Sequence, residues 1–345
     1  MRHYNIPIFI NHYGCPGSCI FCEQKKMNGV VTDMTPEEIR NILQSRLATI
    51  PAGNDVELAF FGGTFTGLPR DIQERFLETV RPWIENGALR GIRLSTRPDR
   101  ITPENLDLLK YYGVTAIELG VQSLDPLVLQ KCRRFYTAET VRQAAERIHA
   151  RGFSLGIQLM PGLPTATFQS DYGSSVQAAA FSPETVRIYP TLVISGTKLE
   201  KLARSGEYQP LSLEKSLKIS KKIYSFFRIR GITVLRVGLQ ADPALLKEGV
   251  IAGGPFHPAY RELVETEIYS DFLREIHEKE GALSVCVHEK NASPVNGHKG
   301  RNKKRFFPNF HLAVDRNLSP DALVINGKKY PKSEIYQYQL DHMTL

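Results

Sequence analysis

The chain has 345 residues, of which 42% are hydrophobic and 23% are charged, and its formal net charge is +8. This composition excludes a disordered chain, a collagen-like chain and a coiled coil, and the length predicts one large domain with a small appendage. The sequence has no apolar run of 18 residues and no signal-peptide pattern after Met1, so we expect a cytoplasmic protein without a membrane partner.

Short apolar runs alternate with amphipathic stretches of helical period over most of the chain. The predicted strands are 5–11, 56–61, 91–95, 115–121, 154–160, 185–190 and 232–238. The predicted helices are 35–48, 70–85, 103–112, 137–151, 166–180, 212–230 and 258–279. Six consecutive βα units predict an α/β fold, a parallel sheet curled into a partial (β/α)6 barrel, with a doubly wound open sheet as the alternative.

The domain organisation follows from where this rhythm stops. We expect the barrel over residues 1–250, a bridging helix within 251–280 and a small α+β domain over 281–345. In either type of parallel sheet, functional groups lie at the carboxyl ends of the strands. Tracts of small and polar residues follow five of the predicted strands, so we expect the site at that edge.

Three of the five cysteines lie within eight residues, which indicates a metal site rather than a disulfide framework. Cys15, Cys19 and Cys22 form a C-x3-C-x2-C pattern in the loop after the first strand. Three thiolates with no fourth cysteine favour an iron-sulfur cluster with one iron left free. The alternative is a structural zinc site, in which His12 would complete a Cys3His ligand set.

This pattern, with Phe21 before its last cysteine, resembles the signature of the radical S-adenosylmethionine (SAM) superfamily, and 61–66 resembles the family's glycine motif. The tracts 12–16, 95–99 and 254–260 are most similar to relatives of the Elongator catalytic subunit, a tRNA-modifying enzyme. The tracts Gly-Gly-Thr-x-Thr and Gly-Leu-Pro also resemble oxygen-independent coproporphyrinogen III oxidase. The resemblance implies a 4Fe-4S cluster, SAM as cofactor and an electron donor such as flavodoxin or ferredoxin. One electron would then cleave SAM to a 5′-deoxyadenosyl radical that abstracts hydrogen from the substrate.

The same resemblance implies a set of SAM contacts but assigns no catalytic residue. The glycine motif would hold the SAM amino group, because the missing side chains let backbone groups approach a ligand closely. Gln122 and Arg134 match SAM-binding positions, whereas Ser95 and Gln158 stand where the oxidase family has carboxylates. On the predicted fourth strand, Glu118, Gly120 and Gln122 share one polar face, which implies a ligand inside the barrel. The predicted cofactor-binding residues are Gly62, Gly63, Thr64, Ser95, Gln122, Arg134 and Gln158.

The C-terminal segment is strongly basic: residues 281–345 hold ten Lys and Arg against five Asp and Glu. Its predicted order of a strand, a helical turn, a G-x-x-G loop, a basic helix and two further strands resembles the core of a KH domain, whose loop clamps a nucleic-acid backbone. The alternative is a basic structural cap. The predicted RNA-binding residues are Gly297, His298, Lys299, Gly300, Arg301, Lys303 and Lys304.

Three functional hypotheses remain at this point. The first is a radical SAM enzyme that modifies RNA, with a tRNA base as substrate. The second is a radical SAM enzyme acting on a tetrapyrrole or another small metabolite, and the third is a non-enzymatic, zinc-containing RNA-binding protein. Because no acetyltransferase-sized domain follows residue 280, we do not expect the full Elongator-type reaction.

Overall fold

The computed structural model describes residues 3–17, 19–29 and 34–342. The strands are β1 (His3–Phe9), β2 (Asp55–Phe61), β3 (Gly91–Thr96), β4 (Val114–Gln122), β5 (Ser154–Leu159), β6 (Thr185–Ile188), β7 (Val193–Ile194), β8 (Thr233–Val237), β9 (Ile251–Gly253), β10 (Leu283–Val287), β11 (Phe310–Val314), β12 (Ala322–Ile325) and β13 (Lys328–Pro331).

The seven helices predicted over residues 35–279 begin and end within two residues of their expected bounds, whereas the short helices at 24–28, 126–131 and 198–204 were not predicted. The described residues contain thirteen α-helices. They are α1 (Gln24–Asn28), α2 (Pro36–Leu47), α3 (Arg70–Glu85), α4 (Pro103–Tyr111), α5 (Pro126–Lys131), α6 (Ala138–Ala150), α7 (Phe168–Ala180), α8 (Lys198–Arg204), α9 (Leu213–Ile229), α10 (Tyr260–Glu280), α11 (Glu289–Asn296), α12 (Arg301–Arg305) and α13 (Lys332–Asp341). The Thr35 side chain caps α2 by accepting a hydrogen bond from the Glu38 amide, and the Glu38 carboxylate accepts one from the Thr35 amide. None of the helices in the described part of the chain has the length and apolarity needed to cross a membrane.

The chain divides into two compact units. The first contains residues 1–187, 191–210 and 241–253, and the second contains 188–190, 211–240 and 254–345. The division therefore differs from the predicted boundary near residue 250, because α9 belongs to the second unit. Its buried Lys222 donates a hydrogen bond to the carbonyl of His342, 2.6 Å away just beyond α13, and its Ser220 hydroxyl lies 3.0 Å from the Tyr260 hydroxyl on α10.

The first unit holds a sheet in which β1 to β6 are neighbours in chain order. The pairs from β1 to β5 are parallel, and helices between successive strands return the chain to the same edge. The sheet curls, since the Arg187 guanidinium of β6 lies 5.2 Å from the centre of the Phe61 ring of β2. In a flat sheet these strands would be about 19 Å apart. The predicted partial (β/α)6 barrel is thus confirmed.

The two faces of β4 differ as the alternation in the sequence predicts. Ile117, Leu119 and Val121 are fully buried and belong to the apolar core. The opposite face carries Glu118, whose carboxylate binds Arg187 at 2.6 Å and Arg93 at 3.2 Å. At this level of the barrel the polar face carries the protein's own ion pairs.

The second unit contains a four-stranded sheet in the order β11-β10-β12-β13. Strands β10 and β11 are parallel, and β12 runs antiparallel to both β10 and β13. The predicted order from 283 to 326, including the G-x-x-G turn between α11 and α12, is present. Two elements were not predicted, namely β13 and α13, whose hydrophobic patterns are too weak to read from the sequence.

Candidate active site

The cysteine loop, residues 11–23, follows β1 at the edge where the parallel strands of the first unit end. Ile20 and Phe21 are buried and pack with Leu163, Val193 and Tyr208, and the half-buried Cys19 and Cys22 contact the same cluster. The amide of Cys22 donates to the carbonyl of Cys19 at 3.2 Å. Two apolar anchors thus fix the loop, while the cysteines beside them remain partly accessible.

The glycine motif packs directly on the cysteine loop. A side chain on Gly63 would place Cβ 2.4 Å from the Ile10 carbonyl oxygen and 2.6 Å from that of Tyr13. The Thr64 amide donates to the Tyr13 carbonyl at 3.0 Å, and the Thr64 hydroxyl lies 3.2 Å from Cys15 Sγ. The space beside Gly63 is therefore filled by the protein's own backbone, so this glycine is required for the loops to meet rather than for a ligand to approach.

Two other glycines allow the same close approach. Gly14, in the left-handed region with φ of 75°, would place a Cβ 2.2 Å from the Thr64 carbonyl oxygen. A Cβ on Gly67 would lie 2.2 Å from the Gly14 carbonyl oxygen. Gly62 has φ of 88°, and a side chain there would meet Asn11 Oδ1 at 2.7 Å. All four glycines thus hold the cysteine loop against the loop after β2.

Arg134 joins the cysteine loop to the end of β4. Its side chain is buried; Nη1 donates to Cys19 Sγ at 3.1 Å, Nε donates to the Tyr136 hydroxyl at 2.6 Å, and Nη2 donates to the Gly120 carbonyl. The Tyr136 hydroxyl donates in turn to the Val121 carbonyl at 2.8 Å. A buried guanidinium held in this way stabilises negative charge on the Cys19 sulfur.

The other predicted SAM contacts lie at the ends of the neighbouring strands. Gln122, at the end of β4, has φ of 67°, and its Oε1 accepts a hydrogen bond from Gln158 Nε2 on β5 at 3.0 Å. Ser95, next to the end of β3, is half-buried and pairs in register with Glu118. The structure brings Thr64 and Arg134 against the cysteines and Gln122 against Gln158, whereas Ser95 makes no hydrogen bond with them among the described residues.

Several residues at this edge were not predicted. Thr66 and Thr96 share a buried hydrogen bond of 2.6 Å, and Arg97 binds the Asp99 carboxylate through two contacts of 2.9 Å. Burial would raise the pKa of Asp99, but the Arg97 guanidinium outweighs it and lowers that pKa. Asp171 on α7 accepts a hydrogen bond from the Gly162 amide at 2.9 Å, and burial raises its pKa to about 7. The tracts 61–66 and 95–99 gave a sequence signal for Thr66, Thr96, Arg97 and Asp99, whereas Asp171 had none.

The chemistry of the thiols indicates what the loop can hold. Burial raises the pKa of Cys15 despite the Thr64 contact, and burial together with the neighbouring Cys19 and Cys15 thiols raises that of Cys22. Thiols in such a position become thiolates when a metal supplies positive charge. The Arg134 and Thr64 contacts at the sulfurs are of the kind that tune a bound iron-sulfur cluster.

A single zinc ion fits these residues less well. His12 Nε2 accepts a hydrogen bond from the Gln24 amide at 2.9 Å, so this nitrogen is engaged away from the cysteines. Within 3–17, 19–29 and 34–342, no group of three or more His, Cys, Asp or Glu side chains is arranged to hold one metal ion. In a 4Fe-4S cluster each thiolate binds a different iron, so the cysteines need not converge on one point. Three thiols on one loop, with the Arg134 guanidinium at one of the sulfurs, are the kind of donor set that such a cluster takes.

The G-x-x-G loop of the second unit is fixed to α10. The His298 amide donates a hydrogen bond to the Thr266 hydroxyl at 2.9 Å, and the Glu262 carboxylate lies 3.1 Å from His298 Nδ1. Arg301 pairs with Glu267 at 2.7 Å. Gly297 and Gly300, with φ of 79° and 70°, form the turn around Lys299, which also has positive φ. Lys299, Lys303 and Lys304 are exposed and form no ion pair with any described residue.

Comparison with known proteins agrees with this geometry. Residues 11–171 match the family model of the Radical SAM superfamily, and 183–270 match that of the Radical_SAM C-terminal domain. The chain is 28% identical over 246 residues to the tRNA uridine(34) acetyltransferase of Methanocaldococcus jannaschii, covering 59% of this chain and 45% of that protein. It is 30% identical over 256 residues to Elongator complex protein 3 of Mus musculus, covering 68% of this chain and 46% of the relative. The chain thus spans about half the length of these relatives.

A solved structure with a similar fold is the archaeal Methanocaldococcus infernus Elp3 with an N-terminal deletion (1–46). The TM-score is 0.63 at 21% identity, and the match covers 82% of this chain and 70% of that one. The resemblance to relatives of the Elongator catalytic subunit is therefore confirmed, and the non-enzymatic zinc-protein hypothesis is set aside. The matched domains, the curled parallel sheet and the cysteine loop at its edge together show that the chain belongs to the radical SAM superfamily and is an enzyme of that class.

Proposed function

We propose that this protein binds a 4Fe-4S cluster through Cys15, Cys19 and Cys22, cleaves SAM reductively and modifies a tRNA base. The observation that carries the proposal is the contact of Arg134 with Cys19 Sγ, 3.1 Å long, on a loop that also holds Cys15 against Thr64. When bound, the cluster supplies the electron that splits SAM and yields a 5′-deoxyadenosyl radical. We further propose cytoplasmic action with flavodoxin or ferredoxin as reductant.

The protein's own residues have two tasks at the cluster. Arg134 and Thr64 place hydrogen-bond donors on two of the sulfurs, which stabilises their negative charge. Ile20 and Phe21, both buried, keep water from the back of the loop. Apolar packing behind the loop and a buried positive charge at one sulfur would help to protect a reactive species from side reactions.

SAM would occupy the strand ends next to the cysteine loop. Gln122 and Gln158 present paired amides there, and the half-buried Ser95 offers a hydroxyl that binds no other described side chain. Arg134 keeps N–H groups beyond its three protein contacts. The backbone of Gly62 and the hydroxyl of Thr64 complete the proposed set, and Gly63 contributes by letting the two loops meet.

The RNA substrate is supported from two sides. Two of the similar proteins named above are a tRNA uridine(34) acetyltransferase and an Elongator complex protein 3. In the second unit the exposed Lys299, Lys303 and Lys304 stand on the G-x-x-G turn and the helix after it. We therefore propose residues 281–345 as the RNA-binding part, with phosphate contacts from these lysines.

The test compares modified nucleosides in tRNA from cells that lack the protein and from cells that express the wild type, Cys19→Ala or Cys286→Ala. We expect one nucleoside to disappear in the deletion, to return with the wild type and with Cys286→Ala, and to stay absent with Cys19→Ala. Cys286→Ala is the matched control because that residue lies on β10 in the second unit. Unchanged tRNA together with an altered tetrapyrrole pool would replace the proposal by the small-metabolite hypothesis.

A further inference from the structure

Residues 131–137, which begin with the last residue of α5, alternate between exposed and buried side chains. Cys132, Arg134 and Tyr136 are buried, whereas Lys131, Arg133, Phe135 and Thr137 are exposed. The inward residues are fixed, because Arg134 binds Cys19 and Tyr136 binds the Val121 carbonyl. The outward residues are therefore held at the rim of the cysteine site by a rigid backbone.

Phe135 is the most exposed of the large apolar side chains in the described part of the chain, at 79%. It makes no ring contact with another described residue, whereas its neighbour Tyr136 is buried beneath the guanidinium of Arg134, 5.0 Å from the ring centre. A single exposed apolar residue needs no explanation by itself. The role of Phe135 depends on the exposed charges that precede it in this segment.

Two exposed cations, Lys131 and Arg133, precede Phe135 in this segment. Lys131 and Arg133 form no ion pair among the described residues, although acidic residues lie close in the sequence. Asp125 is engaged at the start of α5, where it accepts hydrogen bonds from the amides of Leu127 and Val128 at 2.9 and 3.0 Å. Glu139 pairs instead with Arg142. The exposed ring of Phe135 thus belongs to a segment that also carries two cations without an ion-pair partner among the described residues.

The backbone at Arg133 supplies an independent observation. Arg133 follows the last turn of α5 with φ of 58°, and the amide of Arg134 donates to the Leu129 carbonyl at 2.9 Å. This is the helix-ending position at which glycine is commonest, because other residues are strained at positive φ. The exposed Arg133 side chain therefore stands at a position where glycine would be less strained.

We propose that Lys131, Arg133 and Phe135 form a binding surface for the RNA substrate beside the cysteine loop, at the open end of the barrel. Phe135 stacks on an unpaired base, and the two cations contact phosphates of the adjoining backbone. Stacking on an exposed aromatic ring beside basic residues is how proteins hold single-stranded nucleotides. This inference rests on the proposed function and adds which residues of the first unit receive the RNA.

The experiment measures binding of unfractionated tRNA to the reconstituted full chain, with melting temperature as the second readout. One stacked base is worth about 1–3 kcal/mol, so Phe135→Ala should weaken binding about 5- to 100-fold, and Phe135→Trp should retain it. The control is Tyr111→Ala, another exposed aromatic, 69% exposed, at the end of α4 where the strands of the sheet begin. It should bind tRNA as the wild type does.

Arg133→Gly separates a binding role from a structural one. It should raise the melting temperature, because glycine tolerates the backbone conformation, and yet weaken tRNA binding and reduce its salt dependence. Equal binding by the wild type, Phe135→Ala and Arg133→Gly would overturn the inference while leaving the proposed function intact. Failure of the wild type to bind any tRNA would instead contradict the RNA substrate itself.

Discussion

The cysteine loop of the first unit and the G-x-x-G loop of the second unit are both glycine-containing turns, but they are built differently. The cysteine loop is held by close backbone packing, with contacts at Gly14, Gly63 and Gly67 that leave no room for a Cβ. The G-x-x-G loop is held by side chains, through His298 with Glu262 and Arg301 with Glu267. Substitutions in the first should therefore damage architecture, whereas the lysines of the second can be removed without unfolding the protein.

Gly63→Val should give the largest effect, because its Cβ would lie 2.4 Å from a backbone oxygen that cannot move freely. We expect a loss of about 3 kcal/mol in the free energy of unfolding, together with loss of cluster binding. Urea unfolding measures the change in the free energy of unfolding, and the iron content after reconstitution measures cluster binding. Gly173→Ala on α7 is the control, since a Cβ there meets nothing within 4 Å; a Gly63→Val protein as stable as this control would refute the packing argument.

Glu118→Ala tests whether the interior of the barrel is held by its own ion pairs. Removing this carboxylate leaves Arg93 with Glu57 as its other ion-pair partner and removes two contacts from Arg187, so we expect a loss of about 1.5–3 kcal/mol in the free energy of unfolding. Chemical denaturation should show the loss. Glu139→Gln removes an exposed carboxylate paired with Arg142 and should change stability little. Equal stability of the two variants would mean that Glu118 is not structurally required.

Asp171→Asn tests a smaller, pH-dependent contribution to the free energy of unfolding. The Asp171 carboxyl group on α7 accepts a hydrogen bond from Gly162 in the loop after β5. Because burial raises the pKa of Asp171 from 3.8 to about 7, the folded protein binds a proton that the unfolded chain releases, and this carboxyl loses stabilising effect as pH rises from about 4 to about 7. Asparagine keeps an acceptor for the Gly162 amide without the charge. The variant should therefore gain stability relative to the wild type as the pH rises through this window; a pH-independent difference would contradict the assignment.

Replacing Lys299, Lys303 and Lys304 by alanine should leave the melting temperature unchanged, since these side chains are exposed and unpaired among the described residues. If they contact phosphates, the log–log salt dependence of tRNA binding should weaken by about 2, or about 0.7 for each contact. Lys290→Ala with Lys329→Ala is the control within the same unit. If the control lowers the salt dependence as much per lysine, binding follows net charge rather than this loop.

The fold was largely predictable from the sequence, because strands and helices of the barrel have strong periodic patterns. Helix α3 begins and ends at its predicted residues, and β2 and β3 extend one residue beyond theirs. Periodicity does not say what an amphipathic helix packs against, so the assignment of α9 to the second unit could not be predicted. Strand β13 and helix α13 were missed for a different reason, because their hydrophobic patterns are too weak to indicate an element.

The candidate site was predictable only where a motif is local. The three cysteines stand within eight residues and were read directly, whereas the contact of Arg134 with Cys19 joins residues 115 positions apart. The sequence placed Gly63 correctly in the loop beside the cysteines but did not explain why glycine is needed there. A sequence does not reveal which backbone atoms lie beside a glycine, and here they belong to the cysteine loop. Asp171 had no signal at all, since its burial depends on how α7 packs.

The most direct test of the central claim is anaerobic reconstitution with iron and sulfide, followed by reduction in the presence of SAM. We predict one 4Fe-4S cluster for each chain and formation of 5′-deoxyadenosine by the wild type and by Cys286→Ala. Cys15→Ala, Cys19→Ala and Cys22→Ala should each form none, because each removes one of three protein ligands. Stoichiometric zinc in the reconstituted wild type, with no cleavage of SAM, would contradict the account.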